Sequence, residues 1–185
     1  MNKNGKTERP RKLSLRRLAD GHCPCITKAL GRYLAEAASV CIENRRHPAS
    51  KPLNVVGDYA AIFLLNRPRV SDQMVRTLAD LKEATEFGAV AIAICVVEEL
   101  TEYQAVHRSA ISTGVDYWLA DKASEDLRLS ARLECSGTLQ GGEQERKRRV
   151  REKLKQTKQS DATGIPALVV VVDFSDLVTE VATKP

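Results

Sequence analysis

The stretch that decides the fold is Thr113 to Gly137, TGVDYWLADKASEDLRLSARLECSG, because its periodicity is two and it carries an acid on each of two strand-like runs. Its second half alternates cleanly. Leu127, Leu129, Ala131, Leu133 and Cys135 fall on one face, and Arg128, Ser130, Arg132, Glu134 and Ser136 fall on the other. Glu134 therefore points away from the apolar face. Asp116 lies 18 positions earlier, after Gly114. Carboxylates on successive antiparallel strands can converge on one divalent cation, which activates water and steadies a leaving oxygen in metal-dependent phosphodiesterases. Taken singly, Asp116 also suits a turn hydrogen bond and Glu134 a cross-strand ion pair.

Working outward, TEYQAVHR (101–108) and GVDYWLAD (114–121) are short β-type runs joined by SAIST, a hairpin with a loop of five residues. SGTLQGG (136–142) ends the third strand, and Glu143 to Lys158 reads as a helix. Pro166 precedes ALVVVVDF, apolar on both faces like an interior strand covered by helices. Upstream, Ser71 makes an N-cap for a helix running through Leu81 and Phe87 towards Leu100, yielding at Gly88, with Ala89 to Val97 apolar on every side. The order is αβββαβ. The fold class is thus α/β, a mixed central sheet flanked by helices, with an N-terminal helical extension.

That extension spans residues 18–70. Within it Ile26 to Arg45 has helical apolar spacing and HPASKP ends the helix, while Leu53 to Leu65 fits a strand or a short buried helix equally well. Residues 1–17 read as a disordered basic arm, and residues 71–185 as the αβββαβ domain. A chain of 185 residues favours one domain with extensions.

The net charge of +5 is unevenly spread. Residues 1–17 carry +6 and residues 146–158 carry +7, which leaves −8 on the rest. A basic arm and a basic helix on an acidic body point to a polyanion partner, with DNA the leading choice; the alternative for each cluster is a solvated charged surface. Arg132, Arg146, Lys147, Arg148, Arg149 and Arg151 are the expected nucleic-acid contacts. No run of about 18 apolar residues and no signal-peptide core occurs, so a cytoplasmic protein without a membrane partner is expected.

The five cysteines read as reduced thiols. His22-Cys23-Pro24-Cys25 looks like half of a zinc site, with Cys41 and His47 the nearest further ligands and no second pair at the usual spacing. Cys95 and Cys135 fall on apolar faces. His107 has the chemistry of a general acid or base without supporting spacing. Trp118 shares strand parity with Asp116 and is expected to pack beneath a helix. Gly141-Gly142 could open a phosphate-contacting helix start or serve as a flexible joint. No phosphate loop, GxGxxG, HExxH or GxSxG motif is present, which removes support for nucleotide hydrolase, dehydrogenase, zinc-protease and α/β-hydrolase classes.

Over residues 72 to 175 the chain resembles the PD-(D/E)XK, or restriction-endonuclease-like, nuclease superfamily. The likeness rests on element order, on Asp116 as the lone acid of the second strand, and on Glu134-Cys135-Ser136 as the acid-x-lysine motif with serine in place of lysine. It implies a Mg²⁺- or Mn²⁺-dependent deoxyribonuclease without an organic cofactor. Asp116 and Glu134 would hold the metal, with Glu86 or Glu83 assisting; Glu98 and Glu99 lie too near the helix end. Ser136 cannot supply a positive charge, so Lys153 or Lys155 on the basic helix would replace the missing lysine, and Arg132 would hold a phosphate. Such enzymes serve prokaryotic genome defence or mobile-element processing, often as a homodimer or within a larger complex. Two further readings stand beside this one: a catalytically inactive nuclease-fold subunit that binds nucleic acid or a partner protein, and a basic regulator that only binds DNA.

Overall fold

The run ALVVVVD has no polar face between Ala167 and Val172, so it is stable only where both sides are covered. In the computed structural model, which describes residues 9–185, every residue of this strand is buried. It lies inside a single sheet of eight strands. In chain order the elements are β1 (Arg11–Ser14), α1 (Lys28–Asn44), β2 (Leu53–Gly57), β3 (Ala61–Asn66), α2 (Asp72–Thr77), α3 (Leu81–Leu100), β4 (Tyr103–Arg108), β5 (Tyr117–Asp121), β6 (Leu129–Thr138), α4 (Gly142–Gln156), β7 (Ala167–Asp173) and β8 (Val178–Lys184). Short 3-10 segments follow β1 and α4. The sheet order is β1-β3-β2-β8-β7-β6-β5-β4. The pairs β4/β5, β5/β6, β7/β8 and β2/β3 are antiparallel, whereas β6/β7, β2/β8 and β1/β3 are parallel. The molecule is α/β with a mixed sheet, and α3-β4-β5-β6-α4-β7 supplies the αβββαβ order.

Helices cover the two sides of the sheet differently. From Ala89 to Val97 α3 is apolar all round and is sandwiched between the sheet and α1, which explains the burial of that segment. Gly88 makes this possible. A Cβ there would sit 2.9 Å from the Ala38 Cα of α1, so the two helices approach at a separation only glycine permits. The helix runs unbroken through Gly88 instead of yielding at it. It is not continuous with the turn capped by Ser71, however. That turn ends at Thr77, and Asp80 caps a new helix by accepting from the Lys82 and Glu83 amides. On the other side α4 lies over β6 and β7, with Val150 packed against Val169 and Val171.

The N-terminal third departs from a helical extension. Residues 53–66 form two strands that join the same sheet through β2 and β8, so the region enlarges the sheet instead of decorating it. The reading of residues 1–17 as a disordered arm also changes. Positions 1–8 lie outside the described residues, but β1 pairs with β3 and Leu13, Leu15 and Leu18 are buried. Apolar residues interleaved with the arginines anchor a segment whose charge count alone resembles a tail. β8, unassigned in the sequence reading, alternates buried Thr179 and Val181 with half-buried neighbours. No helix among the described residues is long and apolar enough to cross a membrane.

Candidate active site

The register of the sheet assembles the site. Trp118 pairs with Arg132, Tyr117 with Leu133, and the Asp116 amide donates to the Leu133 carbonyl at 2.9 Å. Asp116, Trp118, Arg132, Glu134 and Ser136 therefore share the α4 face, whereas Tyr117, Leu119, Leu133 and Cys135 join the core beneath α3. Asp116 is fixed by its own strand neighbour, since its Oδ2 accepts the Cys135 amide at 2.8 Å. Its negative charge is felt by Glu134 on the neighbouring strand.

Glu134 is 2% exposed at its side chain, and α4 reaches down to it. Lys153 Nζ donates to Glu134 Oε1 at 2.5 Å, and Gln156 Nε2 donates to the same oxygen at 3.0 Å. The Lys153–Gln156 spacing is one helical turn, which brings both side chains to one oxygen. Glu134 Oε2 is buried with no hydrogen-bond partner among the described residues. Burial, and then the neighbouring Asp116, push the Glu134 carboxyl up to about 7, against the opposing pull of Lys153.

Asp116 and Lys153 border a cleft of about 650 Å³ between the first turns of α3, the end of β6 and the inner edge of α4, and Glu134 is buried beside them. Asp116, Ser136, Arg149 and Lys153 line it on the strand and α4 side, and Arg108 closes the β4 end. Arg149 donates to Ser136 Oγ at 3.3 Å and pairs with Glu145 at 2.8 Å. Arg108 lies over the Tyr117 ring at 5.6 Å from its centroid. Across the cleft stand Lys82, Glu86, Leu81 and Phe87 of α3.

The expected site residues thus divide. Asp116, Glu134, Ser136 and Lys153 come together. Glu86 is exposed on the facing wall of the cleft, whereas Glu83 is bound to the Tyr33 hydroxyl at 3.1 Å. Glu98 and Glu99, at the far end of α3, bind His22 and Arg11. Lys155 is exposed and does not line the cleft.

Two basic positions need correction. Arg132 is 1% exposed, and its guanidinium is bonded to the Thr157 carbonyl, Ser160 Oγ and Asp161 on the 3-10 segment after α4, so it clamps that segment instead of facing a phosphate. Arg146 is likewise buried and pairs with Glu180 at 3.0 Å and Asp173 at 3.6 Å. The exposed Lys147 and Arg148 are engaged by acids on their own helix: Glu143, Glu145 and Glu152. Among the described residues Arg151, Lys155 and Lys158 make no ion pair.

The zinc reading finds no assembled ligand set. His22 binds Glu98 and the Arg17 carbonyl, His47 binds the Phe174 carbonyl, and no group of three His, Cys, Asp or Glu side chains gathers to hold a metal among the described residues. The Gly141 and Gly142 amides point at Ser175 Oγ instead of an open anion site. His107 is exposed beside a bulge in β4 and is absent from the cleft. Arg108, which lines the cleft, and Gln156, which binds Glu134, are residues that sequence reasoning missed. Helical spacing from Lys153 could have found Gln156, but Arg108 needed the β4/β5 register.

The chemistry of the donor set fits a hard divalent cation. Asp116 and Glu134 offer carboxylate oxygens and Ser136 a hydroxyl, the hard donors such an ion takes, and Glu134 Oε2 has no hydrogen-bond partner among the described residues. Searches with this chain find no matching family model, no matching curated protein and no matching solved structure.

Proposed function

We propose that this protein is a metal-dependent DNA phosphodiesterase of the PD-(D/E)XK kind, acting as an endonuclease. The observation that carries the reading is the grouping of Asp116 and Lys153 on a cleft bordered by arginines, with Glu134 buried beside them and bound by Lys153. Lys153 reaches Glu134 from the neighbouring helix, which supplies the charge that Ser136 lacks. Asp116 and Glu134 would hold Mg²⁺ or Mn²⁺, with Glu86 across the cleft, and such an ion would supply Lewis-acid activation of water and neutralise phosphate charge.

The chain's own groups do the rest. The Cys135 amide fixes the Asp116 carboxylate, and Lys153 with Gln156 fixes Glu134, so both acids are oriented before substrate arrives. Lys153 stands beside Glu134 and offers its amino group to charge developing on a phosphate oxygen. Arg149 and Arg108 present planar donor forks to the non-bridging oxygens. Fold-level analogy supports genome defence or mobile-element processing as the setting.

The test is incubation of the purified protein with supercoiled plasmid and with single-stranded DNA in Mg²⁺, Mn²⁺ or EDTA, beside D116A, E134A and K153M. The expected result is metal-dependent nicking that vanishes in both acid variants and falls roughly 100-fold or more in K153M. DNA that binds but stays intact under every condition would leave the other reading, an inactive nuclease-fold subunit docking nucleic acid or a partner protein.

A further inference from the structure

The cleft is larger and more apolar than a cation and a phosphate require. Its α3 wall carries Leu81, Phe87 and Val90, and Leu139 faces them from the segment after β6. All four are only half-buried. The Phe87 ring is held by an edge contact with Tyr33, with centroids 5.2 Å apart and planes at 73°. The α3 side of the space thus offers apolar and aromatic surface beside Lys82 and Glu86, and the other side holds Arg108, Arg149 and Lys153.

A phosphate group on the outside of a duplex brings only sugar and charge to such a site, and leaves the apolar wall wet. A nucleotide turned out of its stack brings a flat apolar base on one side and an anionic phosphate on the other. Its size suits a pocket in the usual range of roughly 300–1,000 Å³ for small ligands. The exposed Gln140 and the Thr138 hydroxyl, at the same rim, can hydrogen-bond a base edge.

We infer that the cleft seats an unstacked base between Phe87 and Leu139 while the adjoining phosphate meets Arg149 and Lys153, so that the substrate class is single-stranded or frayed DNA. This rests on the phosphodiesterase reading for the chemistry, but the seating itself is a binding property. The experiment separates the two by measuring binding without cleavage. Fluorescence anisotropy in EDTA compares a single-stranded 12-mer, an abasic 12-mer with the same backbone, and the 12-mer duplex, for the native protein and for F87A and L139A.

The expected result is that the base-bearing strand binds at least fivefold tighter than the abasic one, and tighter than the duplex. L139A should erase most of that margin without changing abasic binding. F87A should do the same; because Phe87 also packs on Tyr33, L139A decides the matter if F87A fails to fold. Equal affinity for base-bearing and abasic strands, or a preference for duplex, would overturn the inference even if the plasmid were cut. A base-dependent margin in a protein that cleaves nothing would sustain the base seat and remove the phosphodiesterase reading.

Discussion

At the scale of single residues, Glu134 ties the site to stability. With a folded-state value near 7, against an ordinary 4.5, it keeps its proton in the native state across a range where the unfolded chain has lost it. Its contribution is fully present below about pH 4.5 and is lost as pH rises through 7. Metal-free protein should therefore lose stability over that window, on the order of 3 kcal/mol for the one group. Urea melts of E134Q in EDTA at pH 4.5, 6 and 8 should show a flatter profile than the native chain, and parallel profiles would contradict the assignment. Arg132 supplies the opposite kind of test. As a buried clamp, R132M should cost about 2–3 kcal/mol by leaving the Ser160 and Thr157 oxygens short of a donor. DNA affinity of the folded variant should be unchanged, whereas a phosphate-binding arginine would weaken it severalfold.

At the scale of elements, periodicity reports polarity faithfully and exposure poorly. β6 reads as one apolar and one polar face, and its polar face carries Arg132 and Glu134. That face is nonetheless buried, because α4 and the following 3-10 turn lie on it. The same burial joins Glu134 to Lys153, so the pairing of acids was legible in sequence while the fate of Arg132 was not. β7 was legible because an all-apolar run has few places to go. β1 and β8 were not, since four charged-flanked residues or a Thr- and Glu-bearing run carry too little signal to separate from a tail. Helix α4 also changes meaning. Of its basic residues only Arg151 and Lys155, with Lys158 just beyond, remain unpaired and exposed. Replacing these three by alanine should lower the slope of log K against log salt for single-stranded DNA by roughly 2. An unchanged slope would place the DNA path elsewhere. G88A should fare worse than a surface alanine swap, costing about 1–3 kcal/mol as α1 is forced off α3, and a thermal melt reads this directly.

At the scale of the whole molecule, the N-terminal strands and the αβββαβ core share one sheet, and β8 is the strand that joins them. Asn54 to Gly57 pair with one side of β8, and β7 pairs with the other. A chain ending at Asp176 should therefore lose cooperative unfolding and populate aggregates, although the cleft residues are all present; a single sharp transition in that truncated chain would contradict the strand's linking role. The order of synthesis gives this arrangement its meaning. β8 is made after the other seven strands yet lies inside the sheet, so the two halves cannot join until it has emerged from the ribosome. Until then the nascent chain carries two open sheet edges, on β2 and β7, which β8 closes together.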